Sequence, residues 1–206
     1  MPKVWIIAAA GGALALAAGF GAQMMLAPEP DRFAQCRSSQ VAGGDIGGPF
    51  ELVSETGETV TEAEVLNEPA LIYFGYTFCP DVCPLDAMRN ALAVEELEDR
   101  GYRVKPVFIS IDPQRDTPEV VAEFTDNFHE RMLGLTGTPE QVRAASQAYR
   151  TFYQAQAAEE DDPFYLVDHT TLTYFTLPGI GFVDFFRRED TPESIAERVA
   201  CFIDAS

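Results

Sequence analysis

The chain of 206 residues is strongly acidic: 33 aspartates and glutamates stand against 14 lysines and arginines, and the formal net charge is −19 at pH 7. This balance argues against a nucleic acid as partner, because phosphate backbones are bound through clustered lysine and arginine. Residues 28–206 are enough for one domain with its own hydrophobic core.

The N-terminal stretch of residues 4–26 carries no charged side chain and is dominated by small and aliphatic residues. Its length suffices to cross a bilayer core of roughly 30 Å at about 1.5 Å per helical residue. Lys3 precedes this stretch and Glu29 follows it, so the positive-inside rule places the N-terminus in the cytoplasm and the rest of the chain outside. We therefore predict a transmembrane anchor at residues 1–27. A cleaved signal peptide is the alternative, because residues 15–17 read Ala-Leu-Ala.

No arginine-rich amphipathic segment precedes the apolar stretch, which favours a bacterial inner-membrane protein over a mitochondrial precursor. We predict a single N-terminal span and a domain that faces the periplasm. Residues 28–48 are rich in Gly, Pro, Ser and Asp, which predicts a flexible stalk. The folded domain then comprises residues 49–206.

The first predicted elements of the domain are a small hairpin and a buried strand. Residues 50–60 alternate loosely around Thr56-Gly57, which is typical of two strands joined by a turn. Residues 71–74 form a continuous apolar run of the kind that a fully buried strand shows, and the strand is predicted over residues 70–76. This run leads into Cys79 and Cys83, so a buried strand brings two thiols to its carboxyl end. In open α/β sheets, ligand sites collect at that edge.

A helix is predicted directly after the cysteines. Because proline suits the first turn of a helix, Pro84 is expected at the first helical position, with Cys83 at or near the cap. The helix is expected to end near Arg100-Gly101. Three apolar residues fall on one face of it: Leu85, Met88 and Leu92.

Three later helices begin with the same Thr-Pro-Glu signature, at Thr117, Thr138 and Thr191. The threonine caps the helix, the proline fits its first turn, and the carboxylate meets the positive end of the helix dipole. Each signature is followed by an apolar stripe at helical spacing: Val121, Phe124 and Phe128; Val142, Ala145 and Tyr149; Ile195, Val199 and Phe202.

Further strands are predicted in the remaining apolar segments. Residues 104–111 are a second apolar run, and residues 171–176 and 180–186 flank a Leu-Pro-Gly turn, which predicts an antiparallel hairpin. Strands and helices alternate first, and an antiparallel pair and a final helix close the chain. This order predicts an α/β fold with a mixed sheet flanked by helices on both faces, the thioredoxin-like architecture.

The four cysteines fall into a close pair, Cys79 and Cys83, and a distant pair, Cys36 and Cys201. The close pair could form a disulfide or clamp one metal ion, and a helix N-terminus would stabilise its thiolates. The distant pair is either a disulfide that ties the N-terminal arm to the last helix or two separate thiols. Sequence leaves this open, because pairing cannot be deduced from it.

Two thiolates seldom complete a coordination shell, so a third donor is expected, and the chain holds two histidines. His129 is expected to be solvated at the polar end of its helix. His169 stands at the start of a predicted strand, from which its side chain could project over the same sheet edge as the cysteines. His169 is therefore the better placed of the two as a third ligand, although a lone histidine in such a position is more often structural than a ligand.

Four segments together resemble the Sco/SenC family in order and spacing. They are Phe-Gly-Tyr-Thr-Phe-Cys-Pro-Asp-Val-Cys-Pro at residues 74–84, Ile-Ser-Ile-Asp-Pro-Gln-Arg-Asp-Thr-Pro-Glu at 109–119, Leu-Thr-Gly at 135–137 and Val-Asp-His-Thr at 167–170. The resemblance implies a thioredoxin-like fold, a membrane tether and a role in assembling the dinuclear copper site (CuA) of cytochrome c oxidase. It further implies that the copper ligands are Cys79, Cys83 and His169.

Other positions carry weaker implications from the same resemblance. Asp112 and Asp168 match acidic positions beside the copper site. Phe78 occupies a variable position at which many members have histidine, and that position is not a ligand. The Cys36 and Cys201 pair is not associated with the family pattern.

Two functions are compatible with these residues. The first is a copper metallochaperone that receives copper from a periplasmic donor and passes it to the oxidase subunit that carries CuA. Thiolates select Cu(I) and an added imidazole makes Cu(II) acceptable, so either oxidation state is expected as the cofactor. The second is a thiol:disulfide oxidoreductase whose catalytic residues Cys79 and Cys83 keep the oxidase cysteines reduced.

Overall fold

The computed structural model describes residues 31–37, 46–156 and 164–206. The chain divides into two compact units, Met1–Ala34 and Gln35–Ser206, and the second carries all the elements described below. Within the described ranges, no helix has the length and apolar character needed to cross a membrane. The predicted anchor lies outside these ranges, as do residues 28–30 and 38–45 of the predicted stalk.

The described residues form nine strands and five helices. The strands are β1 (Glu51–Ser54), β2 (Thr59–Thr61), β3 (Ala70–Gly75), β4 (Lys105–Ser110), β5 (Leu133–Thr136), β6 (Tyr153–Ala155), β7 (Val167–His169), β8 (Thr173–Leu177) and β9 (Gly181–Phe186). The helices are α1 (Glu62–Val65), α2 (Val82–Asp99), α3 (Pro118–Thr125), α4 (Pro139–Ala148) and α5 (Pro192–Asp204).

Seven strands build a mixed sheet in the order β2-β1-β5-β4-β3-β8-β9. The central strand β3 is parallel to β4 and antiparallel to β8, and β4 is parallel to β5. All six residues of β3 are buried, as its continuous apolar run predicts. The predicted hairpins at β1–β2 and β8–β9 are both present.

Three strands that the sequence pattern did not indicate are β5, β6 and β7. The apolar signal of β5 is only four residues long and is interrupted by Gly134. The glycine is required by packing, because a Cβ at this position would lie 2.4 Å from Cγ1 of Val121. Strand β6 is short and mostly exposed, and it pairs only with β7, in a separate two-stranded sheet.

Helix α2 begins at Val82, two residues earlier than predicted, and its N-cap is Asp81. Cys83 is therefore the second helical residue and Pro84 the third. The early start is compatible with proline because the first four N–H groups of a helix have no intrahelical acceptor.

The apolar face of α2 that carries Leu85, Met88 and Leu92 is exposed, with 59%, 42% and 43% of these side chains accessible. The opposite surface, with small residues such as Ala87 and Ala91, is buried. It packs against β3, β4 and α5. Small side chains allow the helix to approach the sheet and its neighbouring helix closely, so the larger aliphatic residues point outward.

The three Thr-Pro-Glu signatures cap helices as predicted. The hydroxyls of Thr117, Thr138 and Thr191 accept hydrogen bonds from the backbone N–H three residues further on. Most of the predicted stripe residues are fully buried: Val121, Val142, Ala145, Tyr149, Ile195, Val199 and Phe202. Phe124 and Phe128 are only partly buried, and Phe128 lies beyond the end of α3.

Cys36 and Cys201 form a disulfide, with their Cα atoms 5.6 Å apart and a sequence separation of 165. This decides the alternative that sequence left open. The bond joins the segment before the domain to α5, so nearly the whole folded chain lies inside one covalent loop.

Candidate metal centre

The two free cysteines, Cys79 and Cys83, lie where the loop after β3 turns into α2. The last residue of β3, Gly75, leaves space for a sulfur atom. A Cβ on Gly75 would lie 3.1 Å from Sγ of Cys83 and 2.8 Å from the ring of Tyr73. A glycine at the last position of β3 therefore lets the Cys83 thiol rest directly on the strand.

Cys79 is the more acidic of the two thiols. Its sulfur accepts a hydrogen bond from the backbone N–H of Cys83, at 3.3 Å, in the first turn of α2. Hydrogen bonds from the Cys83 side chain and from backbone N–H groups lower the pKa of Cys79, and burial only partly opposes them. The N-terminus of a helix favours a negative charge, so Cys79 is the position at which a thiolate is stabilised.

Cys83 is inaccessible to solvent and behaves in the opposite way. Its hydrogen bond to Cys79 raises the pKa of Cys83 well above the ordinary range, and burial adds to this. In the metal-free pair, Cys83 is therefore the thiol and Cys79 the thiolate. Sγ of Cys83 also lies 3.4 Å from Nε2 of His169.

His169 is the last residue of β7, whereas the sequence placed it at the start of a strand. Its Nδ1 lies 3.0 Å from the backbone oxygen of Thr170. A carbonyl oxygen can only accept, so the proton is on Nδ1 and the lone pair of Nε2 faces the cysteines. The rings of Tyr73 and Tyr76 meet the imidazole edge-on, at centroid distances of 6.2 and 5.8 Å.

The structure thus brings together the three residues that sequence singled out as ligands. One donor atom each from Cys79, Cys83 and His169 lies within 4.8 Å of the others. Among the described residues, this is the one group of three His, Cys, Asp or Glu side chains that could hold a metal ion. Two sulfurs and one imidazole are donors that suit copper in either oxidation state, and no carboxylate of the kind that calcium or magnesium prefers is part of the group.

His129 does not join this group, and the expectation that it is solvated was wrong. Its side chain is only 5% exposed, and its Nε2 lies 3.5 Å from a carboxylate oxygen of Glu98. Nδ1 accepts a hydrogen bond from the backbone N–H of Arg131. The residue is part of a polar network with Glu98 and Arg131, where the sequence showed only the polar end of a helix.

The two aspartates expected beside the site have different surroundings. Asp112 is buried and binds Arg115 through one oxygen and the hydroxyl of Tyr165 through the other. Asp168 is exposed and accepts a hydrogen bond from Gln156, at 2.8 Å. Neither carboxylate belongs to the three-residue group.

Two buried acidic residues near the cysteines were missed from the sequence. Asp116 accepts hydrogen bonds from the backbone and hydroxyl of Thr77 and from the hydroxyl of Ser110, and so ties the cysteine loop to the end of β4. Asp86 in α2 lies 3.0 Å from Arg89, and burial raises the pKa of Asp86. Both carboxyl groups belong to polar networks whose members come together only in the folded chain.

The fold and the site define a thioredoxin-like protein with a Cys2His centre at the carboxyl edge of its sheet. The chain belongs to the SCO1/SenC family, whose model matches residues 38–204. This confirms the resemblance found in the four motifs and covers nearly the whole folded domain.

Individual relatives agree with this assignment. Protein SenC of Rhodobacter capsulatus is 53% identical over 199 residues, which cover 96% of this chain and 89% of that protein. The solved structure of Arabidopsis thaliana ScoI with copper bound is 38% identical and has a TM-score of 0.72, covering 77% of this chain and 99% of that one. Yeast Sco1 with copper bound is 33% identical and has a TM-score of 0.75, with 79% and 91% covered. The mixed α/β fold predicted from the sequence is the Sco fold, and the metal bound in both solved structures is the predicted one, copper.

Proposed function

We propose that this protein is a membrane-tethered metallochaperone that delivers copper to the CuA site of cytochrome c oxidase. The observation that carries the proposal is the convergence of Cys79, Cys83 and His169, three soft or borderline donors from two separate parts of the chain. A reductase needs only the two thiols, whereas a copper carrier has a use for the third donor.

The donor set suits a cargo metal. Two thiolates bind Cu(I) strongly, and the imidazole of His169 extends the site to Cu(II). Both thiols must be reduced and at least partly deprotonated to bind, so a disulfide between Cys79 and Cys83 would prevent loading. The stabilised thiolate at Cys79 makes one ligand ready before the metal arrives.

The site lies where a partner can reach it. Cys79 is 8% exposed and His169 is partly exposed, whereas Cys83 is fully buried. Phe78, next to Cys79, is 44% exposed and contacts the exposed ring of Phe164, with centroids 5.8 Å apart. A partly exposed site with only three protein ligands suits exchange of the metal between a periplasmic donor, this site and an acceptor.

The proposed setting is the periplasmic face of a bacterial inner membrane. Residues 1–27 would form the single N-terminal span, residues 28–48 the stalk and residues 49–206 the copper-binding domain. The charges on either side of the apolar stretch support this orientation. The disulfide between Cys36 and Cys201 supports an oxidising compartment, since such bonds are rare in the cytosol. The oxidase subunit that carries CuA is proposed as acceptor on the family resemblance.

A thiol:disulfide oxidoreductase is the second candidate, and the unequal thiols favour it. The Cys79 thiolate would attack a disulfide in the oxidase subunit and form a mixed disulfide, releasing one acceptor thiolate. Cys83 would then lose its proton and attack the sulfur of Cys79, so that the second acceptor thiolate leaves, a Cys79–Cys83 disulfide forms and the acceptor is reduced. Two electrons pass to the acceptor, and His169 is not needed.

The two functions are separated in cells that carry His169→Ala as their only copy of the protein. If the protein is a copper carrier, cells with His169→Ala are expected to assemble as little oxidase as cells with Cys79→Ser. The reason is that copper is not held in the state that the acceptor receives. Oxidase content is measured from the haem and CuA spectra of washed membranes.

The matched control is His129→Ala, which removes the other histidine of the chain and leaves the site residues in place. Normal oxidase content in His169→Ala, together with loss in Cys79→Ser, would overturn the carrier and leave the reductase. Loss in all three variants to the same degree would point to protein instability, which immunoblots of the same membranes detect.

A further inference from the structure

The segment that carries His169 is not part of the main sheet. Strand β7 pairs only with β6, in the two-stranded sheet that we call the histidine ribbon (residues 153–155 and 167–169). Further bonds close the ribbon on itself: Gln156 N–H donates to Leu166 O and Thr170 N–H to Phe152 O. The position of His169 relative to the cysteines therefore depends on what attaches this ribbon to the loop after β3.

Arg115, in the loop after β4, makes one such attachment. Its Nη1 donates a hydrogen bond to the backbone oxygen of Tyr165, at 2.9 Å, and its guanidinium carbon lies 3.6 Å from the centroid of the Tyr165 ring. Its Nε donates to Asp112 at 2.5 Å, and the other oxygen of Asp112 accepts from the Tyr165 hydroxyl at 2.6 Å. The guanidinium, the carboxylate and the phenol thus form a closed ring of contacts.

The same guanidinium also reaches the cysteine loop. Its carbon lies 4.8 Å from the ring centroid of Phe78, the residue before Cys79, and 5.7 Å from that of Tyr76. The Tyr76 hydroxyl in turn accepts a hydrogen bond from the backbone N–H of Val167, two residues before His169. Arg115 therefore lies between the two parts of the chain that supply the metal donors and contacts both.

We propose that Arg115 is a positioning residue for His169: it clamps the histidine ribbon to the cysteine loop and so keeps the imidazole within reach of the two thiols. The inference rests on the proposed copper-binding function of the Cys2His group. The planar fork of arginine suits this role, because one side chain donates in two directions while its face stacks on an aromatic ring.

The expected effect is selective for the oxidation state of the metal. Cu(II) depends on the imidazole, whereas Cu(I) is satisfied by the two thiolates. Arg115→Gln, which has no fork and no charge, is expected to weaken Cu(II) binding by about 10- to 100-fold, the range found for residues that orient a metal ligand. Cu(I) binding is expected to change by less than about threefold, since both thiols remain on the loop and α2.

The matched control is Arg131→Gln. Arg131 is equally enclosed, with 18% of its side chain exposed against 16% for Arg115. It also binds carboxylates, those of Glu68 and Glu98, and a backbone oxygen, that of Val104. It lies in the network around His129, so its loss is expected to lower stability without changing Cu(II) affinity or the Cu(II) spectrum.

A double-mutant cycle of Arg115→Gln and His169→Ala tests whether the arginine acts through the histidine. Cu(II) affinities of the four reduced proteins are measured by competition with a chelator, and the thiolate-to-copper absorption bands are recorded on the same samples. If Arg115 positions His169, the double variant binds Cu(II) no more weakly than His169→Ala alone. Equal affinity of Arg115→Gln and the unaltered protein, or independent losses that multiply in the double variant, would overturn the inference.

A second readout needs no copper. In the metal-free protein, the Val167 amide is expected to exchange with solvent at least about tenfold faster in Arg115→Gln than in Arg131→Gln at equal global stability, because the ribbon opens locally. An unchanged exchange rate of the Val167 amide would contradict the proposal that Arg115 holds the histidine ribbon in place. If the unaltered protein fails to bind Cu(II), the proposed function fails, and the exchange measurement still decides whether Arg115 holds the ribbon.

Discussion

His169→Ala is expected to weaken Cu(II) binding by the reduced protein by about 100-fold or more, a larger loss than removal of a residue that only orients a ligand. The imidazole is the one nitrogen donor in the Cys2His group, and the bond from its Nδ1 to Thr170 O turns the Nε2 lone pair of the neutral ring toward the cysteines. Two thiolates remain, which still bind Cu(I) but are poor ligands for Cu(II). Cu(I) affinity is expected to fall by less than about tenfold.

Both affinities are obtained by competition titration, with a Cu(II) chelator in one series and a Cu(I)-selective one in the other. His129→Ala serves as the histidine control and is expected to match the unaltered protein in both series. Retention of full Cu(II) affinity by His169→Ala would show that His169 is not a Cu(II) ligand and that the site does not have three ligands.

Replacing both disulfide cysteines, Cys36→Ser with Cys201→Ser, is expected to lower the free energy of unfolding by about 5 kcal/mol. The bond closes a loop with a sequence separation of 165 residues, and the restriction that a disulfide places on the unfolded chain grows with loop length. Cys79 and Cys83 lie on another part of the fold, so Cu(I) affinity is expected to stay unchanged.

Guanidinium unfolding of the metal-free proteins, followed by circular dichroism, gives the difference in free energy. The double serine variant avoids the odd free thiol that either single change would leave. A loss below about 1 kcal/mol would show that the bond does little to restrict the unfolded chain. A loss of copper binding would show that it also shapes the site.

Elements with a strong local signal were predictable from the sequence. The fully apolar run of β3, the two hairpins and the three threonine caps each depend on residues that are neighbours in the chain. The ligands Cys79, Cys83 and His169 were named because few residue types supply soft donors, and the structure brings all three to one place.

Features that depend on packing between distant segments were not predictable. Leu85, Met88 and Leu92 have helical spacing, yet the smaller alanines of α2 face the sheet because they allow closer approach. His129 was expected in solvent and is buried by residues from α2 and the segment before β5.

Long-range polar partners gave no sequence signal at all. Arg115 belongs to a recognised motif, but its contacts with Tyr165 and Phe78 join segments separated by tens of residues. The pairing of Cys36 with Cys201 was left open for the same reason, since four cysteines allow several connectivities.

Copper stoichiometry tests most directly whether Cys79, Cys83 and His169 form one copper site. The metal-free, reduced protein is loaded anaerobically with Cu(I) or, separately, with Cu(II), freed of excess metal, and assayed for copper per chain. We predict one copper per chain in either state for the unaltered protein, Cu(I) alone for His169→Ala, and no stable copper for Cys79→Ser or Cys83→Ser. One copper per chain in the two cysteine variants would contradict the account.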